Sequence, residues 1–242
     1  CSFAVDGITG ALSHFSPACV RTTPTSASQI FPMSMAMEPT GRFGYLHNYV
    51  YNQSSHWGEI SVFGVNQGSG QLTFNATTVV DSQNNGYIAA DPAGRYLYKT
   101  TPVAGNAYAI NSYVINRANG GLTAASSVSH GNMFLIGLVA HPSGRFVYSG
   151  EYGNPTGLIR MYEPHSQTGV LSSLTPTSIT GYSYAIAFHP TADFAYALVS
   201  DNGNHRILTF TVDSNGGYLT QVSNIAQPVY SNAIKIDPSG RF

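Results

Sequence analysis

Charge is scarce in this chain: Asp, Glu, Lys and Arg make up 9% of its 242 residues, and the net charge is −1. The 10 basic residues stand singly and do not interleave with aromatics, so nucleic acid is excluded as an expected partner. Cysteine is limited to Cys1 and Cys19, which define no disulfide framework; they could pair in an oxidising compartment or remain small thiols. No apolar run approaches the length of a membrane-spanning helix. Nor does any stretch keep a 3.6-residue apolar rhythm, which excludes a helical protein. With no Pro/Ser-rich linker or charge run to mark a boundary, residues 1–242 read as a single domain. Where charge is missing, Gly, Ser, Thr, Asn and Tyr take its place, a balance that points to an extracytoplasmic or secreted protein.

What the chain does have is a repeat. Glu38-Pro39-Thr40-Gly41-Arg42-Phe43 recurs as Asp91 to Tyr96, His141 to Phe146, His189 to Phe194 and Asp237 to Phe242, with prolines spaced by 53, 50, 48 and 48 residues. A fixed period in this range marks a repeat architecture. The motif is a tight turn, in which a capping side chain at the first position is followed by Pro with its preset backbone angle and, in four of the copies, by Gly at the fourth. Alternating apolar residues precede it, as in Ala185-Ile186-Ala187-Phe188, and Arg-aromatic-X-Tyr follows, as in Arg145-Phe146-Val147-Tyr148. It therefore joins two antiparallel strands.

A second marker keeps step with the first. Asp6, Asn66, Asn116, His165 and Asp213 are each followed six residues later by Leu, and preceded by three residues by Phe3, Phe63, Tyr113, Tyr162 and Phe210. This is a third strand, a Gly-rich turn and a fourth strand. Each period thus holds four short antiparallel strands, one blade of an all-β propeller. The innermost strands are expected around Met33 to Met37, Tyr87 to Ala90, Ile136 to Ala140, Tyr184 to Phe188 and Asn232 to Ile236, where small residues suit crowding at a central axis. The aromatic column is expected to pack between blades, since a repeat cannot bury its apolar face alone. His141, His165 and His189 stand at turn positions, so they read as caps rather than catalytic groups. In this register Phe3 falls in a third strand and Phe242 at the start of a second. The chain is thus expected to hold four complete internal blades and two flanking halves, a piece of a seven-bladed ring or a five-bladed ring whose halves meet.

The repeat unit, an apolar strand, Asp-Pro-Ser-Gly-Arg-Phe-X-Tyr, Ile-X-X-Phe-X-Val-Asp and Thr-Gly-X-Leu-Thr, resembles that of the lactonase-type β-propeller family. That family contains bacterial 6-phosphogluconolactonases and a fungal muconate cycloisomerase. The likeness is clearest in Cys1 to Ser13, His141 to Tyr148 and Ile207 to Thr220. No Gly-His or Trp-Asp dipeptides recur as in WD40 repeats. The resemblance implies metal-free, cofactor-free ring opening of a sugar lactone at one mouth of the channel by His, Arg and Glu side chains from neighbouring blades. A phosphorylated lactone would imply a cytoplasmic enzyme. The family's Asn-Glu element maps nearest to Glu151, while Phe134-Leu135-Ile136-Gly137 stands where the family has Pro-Arg-His. The next blade has Tyr182-Ser183-Tyr184-Ala185 and Ser200-Asp201 at these positions.

The catalytic candidates are Glu151, His130 and Arg160: a base to activate water and a cation to stabilise an oxyanion. The alternative is a non-catalytic extracytoplasmic binding or scaffold propeller. Its contact surface would be the exposed long loop from Asn48 to Trp57, which makes the first repeat longer than the others, with Tyr49, Tyr51 and Trp57 stacking on a carbohydrate or burying against a protein. A calcium- or zinc-dependent gluconolactonase-type propeller is a third reading, requiring converging Glu, Asn and Asp ligands. In each case the chain is expected to act as a monomer.

Overall fold

The turn motif forms by local hydrogen bonding. In the computed structural model the Gly41 amide donates to the Glu38 carbonyl at 2.9 Å, and the Gly94, Gly144 and Gly240 amides repeat this contact. The first residue of each motif caps the turn with its side chain. The Glu38 carboxylate accepts from the Thr40 and Arg42 amides, Asp91 accepts from the Arg95 amide, and Nδ1 of His141 and His189 accepts from Ser143 and from Ala192. The histidines are therefore structural caps. The structure describes residues 3–5, 9, 11–14, 29–52, 55–81, 86–103, 107–130, 134–152 and 156–241; Cys1, Cys19 and Phe242 lie outside them.

Among the described residues the regular elements are β-strands in antiparallel sheets. The first blade comprises β3 (Gln29–Met37), β4 (Phe43–Asn52), β5 (Ser55–Val65) and β6 (Leu72–Asp81). The second comprises β7 (Ile88–Ala90), β8 (Tyr96–Val103), β9 (Ala107–Ile115) and β10 (Leu122–His130). The third has β11 (Leu135–Ala140), β12 (Val147–Glu151) and β13 (Thr156–Pro164), with its outer strand split into β14 (Leu171–Ser173) and β15 (Thr177–Thr180). Pro176, which lacks an amide for the ladder, lies at the split. The fourth has β16 (Tyr182–Phe188), β17 (Phe194–Asp201), β18 (Asn204–Val212) and β19 (Leu219–Gln227). A hairpin of β1 (Phe3–Val5) and β2 (Leu12–His14) matches the expected third and fourth strands of a flanking half. β3, β7, β11 and β16 approach one another as the inner strands.

Two expectations differ. The segment from Asn48 to Trp57 is not a loop: β4 and β5 extend into a long hairpin, paired from Phe43–Gly64 to Asn52–Ser55, with Asn48 and Val50 buried. Its alternating Val and Tyr residues suit a strand better than a loop. Asn232 to Ile236 form no strand, because no described strand lies beside them to complete a ladder.

Each blade interface is its own core. Phe43, Tyr45 and Val62 meet Leu97 and Tyr113 between the first two blades. Tyr98, Tyr108, Leu135 and Tyr162 meet between the second and third, and Tyr148, Met161, Phe188 and Phe210 between the third and fourth. Full burial of such side chains contributes about 1.5–3 kcal/mol each. The motif arginines fasten one blade to the next. Arg42 donates to the Arg117 carbonyl, Arg95 to Ser166, and Arg145 to Ser214 and Asn215, while each guanidinium lies over the ring that follows it.

Tyrosines repeat the link deeper in. Tyr45 and Tyr148 donate to the carbonyls of Gly120 and Gly217 in the following blade, at 3.0 and 2.6 Å. At the equivalent place between the second and third blades the Gly169 carbonyl is taken by Ser112 at 2.8 Å, and among the described residues the buried Tyr98 hydroxyl has no hydrogen-bond partner. Tyr148→Phe should therefore cost about 1–2 kcal/mol, whereas Tyr98→Phe should be neutral or stabilising. Urea denaturation of the two variants distinguishes them; equal losses would overturn this account of the interfaces.

Candidate active site

The end of the propeller opposite the turn motif carries a polar cluster at the interface of the second and third blades. Glu151 ends β12, paired in register with Leu135 of β11 and Leu158 of β13, and is 1% exposed. Arg160 stands on β13 opposite Ser149, one step along the same face. Its Nε donates to Glu151 Oε2 at 2.5 Å. Tyr162, two residues further along β13, shares a 2.7 Å hydrogen bond with Nε2 of His130, the last residue of β10 in the preceding blade. Strand alternation accounts for the arrangement, since side chains two apart on β12 and β13 point to one face and meet the end of β10.

Burial lowers the His130 pKa below its ordinary value; the Arg160 charge acts in the same direction and Glu151 opposes both. The imidazole is accordingly neutral at neutral pH. Burial raises the Tyr162 pKa, so its phenol stays protonated. The cluster thus joins a carboxylate, a guanidinium, a neutral imidazole and a phenol, enough to move protons and to stabilise a developing negative charge.

A cavity of about 540 Å³ opens beside it, lined by Met33, Tyr87, Tyr108, Phe134, Leu135 and Tyr152 among others. Leu135 is the register partner of Glu151, Tyr108 that of His130, and Tyr152 follows Glu151 directly, so the cavity wall is one step from the cluster. Of the sequence candidates, Glu151, His130 and Arg160 are brought together. Tyr49, Tyr51 and Trp57 lie instead on the first blade's hairpin: Tyr49 stacks on Phe31 with centroids 5.8 Å apart, and Trp57 Nε1 donates to Glu59 Oε2 at 3.4 Å. Tyr162 is hidden in the sequence as a member of the packing column; its hydroxyl, which Phe63 and Phe210 lack and Tyr113 shares, narrows the column to two positions without singling it out. Among the described residues no group of three or more His, Cys, Asp or Glu side chains is placed to hold a metal ion. Nor, among them, is any helix long and apolar enough to cross a membrane.

Four-stranded blades around an axis, with a cluster of ionisable side chains at one inter-blade interface, define a β-propeller with a candidate site at one face. Residues 49–175 match the family model described as lactonase, seven-bladed β-propeller, and the chain belongs to that family. A comparison with curated proteins finds no match. Among solved structures the chain is similar to a functionally unknown protein of Desulfotomaculum acetoxidans, with TM-score 0.62 and 14% identity over 86% of this chain. It spans 58% of that protein's length. It is also similar to a candidate 6-phosphogluconolactonase of Bacteroides uniformis, with TM-score 0.61 and 16% identity over 99% of this chain and 82% of the other. A periplasmic gluconolactonase of Pseudomonas aeruginosa gives 0.58 and 15% over the same shares. At these identities the likenesses establish the fold.

Proposed function

We propose that this chain carries the hydrolytic site of an extracytoplasmic sugar lactonase, acting in the groove between its second and third blades. The observation that carries the reading is the convergence of Glu151, Arg160, His130 and Tyr162 beside the 540 Å³ cavity. Membership of the lactonase family supports it, and the scarcity of charge together with the likeness to a periplasmic gluconolactonase supports the compartment.

Glu151 takes a proton from water as the hydroxyl oxygen bonds to the lactone carbonyl carbon. Arg160, whose side chain is 23% exposed, faces the negative charge that develops on the carbonyl oxygen. When the tetrahedral intermediate collapses, the bond from the carbonyl carbon to the ring oxygen breaks. That oxygen takes up, by way of the neutral His130–Tyr162 pair, the proton that Glu151 removed from water, leaving an open-chain hydroxy acid and every side chain in its starting form. His130 serves this role in its uncharged form. Because its pKa is lowered, kcat/KM should hold as pH falls through about 6.5, the ordinary imidazole value, and decline only below it. The measurement is ring opening of glucono-1,5-lactone and its 6-phosphate against the uncatalysed rate. No acceleration of either, or an acid limb at or above pH 6.5, would overturn the assignment.

The same ionisation bears on stability. The unfolded chain binds the His130 proton before the folded one does, so this contribution is fully present above about pH 6.5 and is lost as pH falls toward the folded-state value.

A further inference from the structure

The rim of the same face is lined with aromatic rings in unbroken succession. From the cavity wall, Tyr108 lies 5.1 Å from Phe134, Phe134 6.4 Å from Tyr152, and Tyr152 4.5 Å from Tyr182, centroid to centroid. The succession continues through Tyr184 and Tyr230, at 4.9 Å each, and ends at His205, 5.4 Å from Tyr230. It crosses from the second blade over the third and fourth. Tyr108 belongs to the core, but Phe134, Tyr152 and Tyr230 are 48%, 42% and 54% exposed, so these three rings are not there to fill it. The tyrosines add a hydroxyl edge to each flat face, and those of Tyr182 and Tyr184 are hydrogen-bonded at 2.7 Å. At the far end His205 borders a second cavity of about 360 Å³, lined also by Asp201, Asn204, Arg206 and Gln227.

Successive rings meet tilted or edge to face, at 81° between Phe134 and Tyr152 and 89° between Tyr184 and Tyr230. A ligand that follows this path must therefore present apolar C–H faces at intervals along its length and hydroxyls at its edges, and it needs no net charge. A linear β-linked oligosaccharide has that form: its pyranose rings offer C–H faces to aromatic rings, and their hydroxyls suit the planar polar side chains of the second cavity. We propose that the arc is a binding track for such a neutral oligosaccharide. The oxidised, lactone end unit occupies the 540 Å³ cavity, and the following sugars lie over Tyr152, Tyr182, Tyr184 and Tyr230 toward Asp201 and Arg206. The placing of the lactone unit rests on the hydrolase reading; the track for the sugar chain does not.

Calorimetric titration of the chain with unoxidised cello-oligosaccharides of two to six units tests the track. Kd should fall by roughly tenfold or more between the dimer and the hexamer. Tyr152→Ala and Tyr230→Ala should each remove most of that gain with unchanged circular dichroism, and Tyr230→Phe should restore it, since the ring face is retained. Equal affinity at every length, no binding at millimolar concentration, or a length dependence untouched by both alanine variants overturns the proposal. The probes contain no lactone, so lactone hydrolysis accompanied by a flat length dependence would overturn the track alone.

Discussion

Glu151→Gln should lower kcat/KM for lactone hydrolysis by about 10²–10⁴, the usual contribution of a positioned general base. The substitution keeps the shape of the side chain, and its amide oxygen can still accept from Arg160 Nε, so the groove stays filled. What it removes is the ability to take a proton, together with the charge opposite Arg160. The Glu151 side chain is buried whereas the Arg160 side chain keeps some solvent contact, so the loss of the ion pair should cost stability only about 1–2 kcal/mol. Activity and stability therefore separate: a large fall in rate beside a small fall in melting temperature. A variant within about tenfold of the parent rate would remove Glu151 from the chemistry.

Gly181→Ala should be the most damaging single methyl in the described fold. Gly181 has φ +85°, and a Cβ there would collide with the carbonyl oxygen of Ser200, where the third and fourth blades touch. Two costs add: a left-handed backbone conformation, about 1–2 kcal/mol for a residue with a Cβ, and overpacking against backbone that cannot rotate away. Together they should amount to about 3–5 kcal/mol, or roughly 6–20 °C in Tm for a chain of this size. Gly203 supplies the control. It has φ +84°, in the Asn202-Gly203 turn between β17 and β18, and among the described residues nothing beyond its chain neighbours lies within 4 Å of its added Cβ. Gly203→Ala should show the backbone cost alone, about 1–2 kcal/mol. Thermal melts of both variants decide the matter, and equal losses would refute the steric argument.

The blade register was legible because turn chemistry is local. Glu38, Asp91, His141 and His189 cap their turns through hydrogen bonds to residues two to four positions away, and such contacts leave a trace in the sequence. The order of strands followed from the same punctuation. The hairpin at Asn48 to Trp57 has the extra length of a loop, whereas the β-branched Val50 and aromatic Tyr51 favour the strand that the structure forms. Asn232 to Ile236 have the composition of a strand, but a strand also needs a neighbour.

At the site, Glu151, His130 and Arg160 were recognisable as residue types that could do acid–base work. Their convergence was not, because it depends on how the end of one blade's outer strand meets the third strand of the next. Tyr162 was hidden for the opposite reason: it obeys the packing pattern so well that its hydroxyl attracts no notice. The aromatic rim could not be read from spacing, since Phe134, Tyr152, Tyr182 and Tyr230 come from different loops and strand ends.

The arginine contacts give the array a direction. Arg42, Arg95 and Arg145 all reach forward along the chain to a Gly-rich turn in the succeeding blade. Adjacent blades are therefore not equals: one grips and the other is held. A fault in such a turn disturbs its own blade and also loosens the anchorage of the one before it, so damage travels toward lower residue numbers more readily than toward higher ones.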